Sequence, residues 1–350
     1  MNKKTIFLLS LFFIIGGRIH SQVHFNIEGT TGSEYEGRKV SLVLLEEDNR
    51  EADSTSIVNG KFSFEGELIQ PCWAAVHIDG INGIFTVLED GNVRIYADNK
   101  ETRCEGTPTN DAFRKYWQDY LVLNQKALDA RKRLDTLEIG KEEKKDLYLK
   151  NQKETMVQMK EFVKRTVREN LNNIIPAFWV RLSQEMITAD ELNKMLEGAS
   201  PVLKANGFVT KLVSVQEGNS FVDVKVEQPD GTQTNLSDCL DKGSYTLINV
   251  WASWCGACIA ELPEIRNIEK KYVTRNLKII SISIDRNRKD WEQAFKRLDI
   301  SWMHVWADYA FANAYGINKI PALILISSDG IILKRNFNIE DLEEVLKICR

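Results

Sequence analysis

The chain is poor in groups that hold metals and has no excess of groups that hold nucleic acids. Its 350 residues include four histidines, His20, His24, His77 and His304, too scattered for metal-ligand spacing. Of six cysteines, Cys72, Cys104, Cys239 and Cys349 each stand alone, so the second close pair of a structural zinc site is missing. No metal and no cofactor is expected. Basic residues number 46 against 50 acidic ones, which argues against nucleic acid or an anionic membrane surface as partner. Proline and glycine, at 7 and 20, are too few for a low-complexity chain. Beyond the N-terminus no apolar run nears the roughly 20 residues of a membrane-crossing helix.

The N-terminus is a different kind of sequence. Lys3 and Lys4 precede the apolar run Thr5–Ile15, which ends at Gly16-Gly17 and a polar stretch. This order is that of a secretory signal, with cleavage expected between Ser21 and Gln22. No cysteine lies near that junction, so a lipoprotein anchor is not expected, and the alternative is a signal retained as a membrane anchor. Removing Lys3, Lys4 and Arg18 takes the net charge from −4 to −7. The mature chain is thus expected to be soluble, exported and periplasmic, in a compartment where disulfides persist.

Three regions follow the signal of residues 1–21. Residues 22–105 alternate apolar and polar positions, as in Val23–Ile27, Lys39–Leu44 and Gly60–Gly66, with turns at Asn59-Gly60, Asp79-Gly80 and Asp90-Gly91. That pattern predicts an all-β, sandwich-like antiparallel domain, with Trp73, Phe85 and Tyr96 in its core or an interface. Cys72 and Cys104 are left open between a disulfide and two buried thiols. Residues 106–205 switch to helical spacing. Thr109-Asn110-Asp111 is the expected cap, followed by Phe113, Tyr116, Trp117, Tyr120 and Leu121. Charges of both signs alternate from Lys126 to Lys164, the pattern of a solvated helix face. A further helical segment is expected from Pro176 to Leu203, with Thr188–Glu191 as its internal cap. Residues 206–350 alternate strand and helix. The expected strands are Phe221–Val226, Thr246–Val250, Leu277–Ile284, Trp302–Trp306, Pro321–Ile326 and Ile331–Leu333. The expected helices follow Cys255 and run over Asp290–Leu298 and Glu340–Cys349. The order is that of an α/β domain, a central sheet with helices on both sides.

Within that third region, Cys255 and Cys258 stand three positions apart, after an apolar strand and at the start of a helix. Unpaired N–H groups and the positive dipole end of a first helical turn favour a thiolate at Cys255. The thiolate is the attacking species in disulfide exchange, and Cys258 is one turn away to resolve the product. A Cys-x-x-Cys in this setting reads as a thioredoxin-like redox motif.

Trp254-Cys255-Gly256-Ala257-Cys258, Glu261-Leu262-Pro263 and Lys319-Ile320-Pro321-Ala322, in this order, resemble the TlpA/ResA-like thiol–disulfide oxidoreductases of the thioredoxin superfamily. The resemblance covers residues 218–350, and residues 22–105 are similar to a β-domain that often precedes such domains. It implies a thioredoxin fold, Cys255 as the exposed nucleophile and Cys258 as the buried resolving thiol. Pro321 falls at the family's cis-proline, with Ile320 pairing to an extended substrate and Trp254 covering the disulfide. Glu261 falls where the family has a partly buried carboxylate that exchanges a proton with Cys258. Disulfide-containing proteins are the implied substrates and a membrane thiol carrier the implied electron donor. Some members act in cytochrome c biogenesis.

Two positions depart from the commoner thioredoxin pattern. Asn249 stands where many thioredoxins have a buried Asp, and Ala257 replaces the usual proline between the cysteines. The resemblance favours reduction of substrate disulfides. The alternatives are an isomerase or oxidant, and a partner-docking module with a vestigial redox pair.

Overall fold

The computed structural model describes residues 6–7, 22–47, 49–98, 101–241, 243–272 and 276–348. Apart from the two-residue strand Ile6–Phe7, the expected signal of residues 1–21 lies outside them. The chain divides into two compact units. One comprises residues up to Met186 with Asn193–Val209, and the other Ile187–Leu192 with Thr210–Arg350.

Eight strands build the β part of the first unit: β1 Val23–Thr31, β2 Lys39–Leu44, β3 Arg50–Ser56, β4 Lys61–Leu68, β5 Cys72–Ile78, β6 Ile81–Leu88, β7 Gly91–Ala97 and β8 Thr102–Glu105. They form two sheets, β4-β1-β7-β8 (with Ile6–Phe7 on the β4 side) and β3-β2-β5-β6. Alternate residues point into one core of Phe25, Ile27, Val40, Leu42, Phe64, Val76, Val93 and Ile95. The sandwich is not wholly antiparallel as expected, because β7 pairs with β1 in parallel. Between them the chain visits the second sheet through β2, β3, β5 and β6, so it returns to β1 by a crossover rather than a hairpin.

Cys72 and Cys104 are free thiols, packed against that core from different sheets. Trp73 is fully buried, whereas Tyr96 is 36% exposed and lies under the Arg103 guanidinium.

Two long helices follow, α1 Pro108–Asp135 and α2 Lys141–Glu169, and then α3 Ile175–Ser183. α1 starts one residue before the expected cap, with Thr107 at the N-cap and Pro108 at the first helical position. Proline's fixed φ and missing N–H suit that place. Thr109 and Asn110 are instead committed to the neighbouring strand region. Thr109 donates from its amide and hydroxyl to Glu89, and Asn110 bonds the backbone of Val87. Aromatic rings join these helices to the sandwich: Trp73 meets Phe113 at 4.6 Å and Phe178 at 4.8 Å, and Phe85 meets Trp117 at 5.4 Å.

The helical segment expected over Pro176–Leu203, with its internal cap at Thr188–Glu191, is a series of short helices. After α3 come a 3-10 turn at Gln184–Met186, α4 Ala189–Met195 and α5 Pro201–Lys204, then α6 Gly207–Ser214. Thr188 and Glu191 exchange the reciprocal bonds of a capping box at the start of α4, and Gly198, at φ +74°, ends the turn that follows it.

The second unit holds β9 Lys225–Glu227, β10 Gln233–Asn235, α7 Leu236–Cys239, β11 Tyr245–Trp251, α8 Gly256–Tyr272, β12 Leu277–Ser283, α9 Arg288–Leu298, β13 Met303–Trp306, α10 Asp308–Ala314, β14 Ala322–Ile326, β15 Ile332–Arg335 and α11 Leu342–Val345. Its sheet order is β10-β9-β13-β12-β11-β14-β15. β11, β12 and β13 run parallel and β14 antiparallel to β11. This is the thioredoxin-like fold. The buried central strands carry the continuous apolar runs expected of them.

Two expected elements are shorter. Of the Phe221–Val226 segment only Lys225 and Val226 are strand, within Lys225–Glu227, because Phe221 bonds a turn residue, Gly330, and the Asp223 carboxylate takes Ser237. The closing helix is one α turn flanked by 3-10 turns at Ile339–Asp341 and Leu346–Ile348, and Cys349 lies outside the described residues.

Candidate functional site

β11 sits at the centre of the sheet and is buried from Thr246 to Trp251. Where it ends, the chain makes a short turn through Ala252, Ser253 and Trp254, closed by the Cys255 amide donating to the Ala252 carbonyl at 3.0 Å. Helix α8 begins at the next residue, Gly256, so Cys255 occupies the cap position. The Ile259 amide donates to the Cys255 carbonyl and the Cys258 amide to Cys255 Sγ at 3.1 Å. An N–H that would otherwise lack a helical partner thus points at the sulfur.

Cys255 and Cys258 are joined as a disulfide with Cα atoms 5.3 Å apart. Cys255 is 7% exposed and Cys258 1%. Both are buried, Cys258 the more completely of the two. Trp254, immediately before them, is 61% exposed, an unusual position for an indole.

Ile320–Pro321 is a cis peptide. Both residues are half-buried, and they lead into β14, whose Ala322 pairs with Val250 of β11. That register brings Ile320 and Pro321 to the sheet end from which the Cys255 turn emerges. Glu261, one turn beyond Cys258 on α8, is half-buried. Burial, with the charges of Glu340 and Glu264, pushes its carboxyl up to about 6. A group titrating there takes and gives protons near neutral pH.

Among the described residues the free thiols offer no comparable chemistry. Burial pushes Cys72 and Cys239 upward and Cys104 up to about 12, so all three are protonated and unreactive at neutral pH. Among the described residues no three metal-ligating side chains converge.

Asn249 is buried in β11 and donates to Ser281 Oγ at 3.2 Å, and Trp302 Nε1 reaches the same oxygen at 2.8 Å. Asp285, which the sequence reading did not single out, is 1% exposed at the end of β12. Its carboxylate accepts the Ser253 amide at 3.0 Å, the Ser253 hydroxyl at 2.7 Å and the Ser283 hydroxyl at 2.7 Å. Thirty-two residues separate Asp285 from Ser253, so the local pattern gives no sign of the pairing. The available signal was an aspartate closing a nearly continuous apolar strand.

Residues 216–346 match the Redoxin family model, and residues 25–113 match the model of a domain of unknown function (DUF4369). The thiol-disulfide oxidoreductase ResA of Bacillus subtilis (strain 168) is 25% identical over 122 residues, 35% of this chain and 67% of that protein. The ResA of Bacillus thuringiensis subsp. konkukian is 26% identical over 157 residues, covering 44% and 90% respectively. Among solved structures, a thiol-disulfide oxidoreductase from Bacteroides fragilis is 29% identical, with a TM-score of 0.35, over 38% of this chain and all of the other.

Proposed function

From the premise that this chain is a TlpA/ResA-like thioredoxin-superfamily protein and a thiol–disulfide oxidoreductase, we propose that it is exported and reduces protein disulfides through Cys255 and Cys258. The Cys255 thiolate attacks one sulfur of a substrate disulfide. A mixed disulfide forms and the other substrate sulfur leaves as a thiolate. Cys258 then gives its proton to Glu261 and attacks Cys255 Sγ. The Cys255–Cys258 disulfide closes, the second substrate sulfur leaves, and two electrons have passed to the substrate. Trp254 and the backbone at Ile320-Pro321 hold the extended substrate segment beside the sulfur. A membrane thiol carrier returns the electrons.

The observation that carries this reading is the cysteine pair at the start of α8, with the Cys258 N–H directed at Cys255 Sγ. A developing thiolate there gains a charge-assisted hydrogen bond. Export rests on the Lys3-Lys4 and Thr5–Ile15 pattern, and no described helix is long and apolar enough to cross a membrane.

The test is the equilibrium reduction potential of the pair in a chain beginning at Gln22. A value near or below that of thioredoxin, roughly −270 mV, is expected of a reductant. A value around −180 to −120 mV would place the chain with isomerases or oxidants and reverse the proposed direction. Trapping supplies the companion measurement. Cys258→Ser should accumulate mixed disulfides through Cys255 with cysteine-containing periplasmic proteins, whereas a docking module would accumulate none.

A further inference from the structure

The turn that carries Cys255 is held from outside its own segment. Ser253 has no partner within the turn for its amide or hydroxyl, and both donate to the Asp285 carboxylate. The amide lies 3.1 and 3.0 Å from the two oxygens and the hydroxyl 2.7 Å from one. Ser283 adds a further donor at 2.7 Å, and the Asp285 amide donates back to its hydroxyl at 3.1 Å. The backbone behind this carboxylate is itself fixed. Trp306 Nε1 donates to the Asp285 carbonyl at 2.7 Å, the Ala307 amide to Ser283, and the Ile284 amide to Trp251. Asp285 thus ties the ends of three adjacent strands, β11, β12 and β13, to the residue two before Cys255.

We propose that Asp285 is a positioning residue for thiol–disulfide exchange, fixing the Ala252–Trp254 turn so that Cys255 Sγ is held within reach of Cys258. A buried carboxylate loses its hydration, and its hydrogen bonds return that only where geometry is good. A purely structural tie at this depth is made as well by a neutral acceptor. A carboxylate differs in taking the amide and hydroxyl of one residue together through charge-assisted bonds, which restricts the turn far more tightly. Holding one thiol against another raises their effective concentration, and that concentration sets how readily the disulfide closes.

The inference rests on the exchange activity proposed above, and the measurement keeps the two separable. The potentials of the parent, Ser253→Ala, Asp285→Asn and the double variant are measured against glutathione, with urea unfolding of each in parallel. Asn at 285 turns one oxygen into a donor facing donors. We expect it to shift the closure equilibrium of Cys255–Cys258 toward the dithiol by about tenfold, ~30 mV. Ser253→Ala should shift it about threefold in the same direction. The double variant should be no worse than Asp285→Asn, because the two changes remove one interaction. Folded variants with closure constants within twofold of the parent, or effects that add, would overturn the proposal. If Asp285→Asn does not fold, Ser253→Ala decides alone, since it leaves the carboxylate its other donors. A parent that equilibrates with no thiol buffer would sink the exchange reading itself.

Discussion

At the scale of single residues, Glu261 makes the sharpest claim about pH. Its folded carboxyl, pushed up to about 6 from an ordinary 4.5, holds its proton over a window where the unfolded chain has lost it. The folded state therefore binds more protons between those values, and stability falls as pH rises through the window. Glu261→Gln should flatten that fall in urea unfolding series taken from pH 4 to 7. It should also slow the resolving step most between pH 6 and 8, where a glutamate base is available and glutamine supplies none. A variant whose resolving rate follows the parent's pH profile would remove Glu261 from the proton path. The contrast with Asp285 shows what a sequence discloses at this scale. Cys255, Cys258 and Glu261 fall within seven consecutive positions of one helix start, so spacing alone displays their relation. Asp285 acts on Ser253 across two strands, and only the parallel pairing of β11 with β12 creates that neighbourhood.

At the scale of elements, strands were legible wherever one face meets a core. β1, β2 and β4 alternate more and less buried residues along their lengths, and β11 and β12 are buried on both faces. Element ends were less legible, because caps compete with tertiary bonds for the same side chains. Asn110 illustrates this. Its sequence position suggests a helix cap, yet it lies inside α1 and is 1% exposed. Its amide nitrogen donates to the Val87 carbonyl and its oxygen accepts from the Val87 amide, both at 2.8 Å. β6 is the edge strand of its sheet, so this side chain stands in for the missing neighbour. Asn110→Ala would leave both backbone groups of Val87 buried without a partner, at about 1–3 kcal/mol each. We expect a loss of about 3 kcal/mol in urea unfolding. Asn110→Asp should fall between, since it keeps the acceptor and loses the donor. A loss below about 0.5 kcal/mol for Asn110→Ala would mean that water replaces the amide and the edge is not closed by it.

At the scale of the whole molecule, the chain's division concentrates all of the proposed chemistry in one part. Trp254, Cys255, Cys258, Glu261, Asp285, Ile320 and Pro321 all belong to the unit of Ile187–Leu192 and Thr210–Arg350, as does Glu340, whose charge acts on Glu261. That unit's seven-stranded sheet is complete within it. Its core of Leu247, Ile248, Ile280, Ile282, Val305, Phe311, Leu323 and Leu325 is nearly inaccessible to solvent. A sheet with both central faces buried and every strand supplied locally meets the conditions for independent folding. A fragment of residues 210–350, which holds every strand of that sheet, should therefore unfold in one cooperative transition. Its Cys255/Cys258 closure constant should agree with that of the full chain within about twofold, ~10 mV. The potential is the sensitive readout, because it responds to the few groups around Cys255 rather than to total stability. A folded fragment whose potential departs by more than tenfold in that constant would show that the β-rich and helical region tunes the redox pair. Agreement would leave that region's contribution to partners and placement, with the exchange chemistry self-contained in the thioredoxin-like unit.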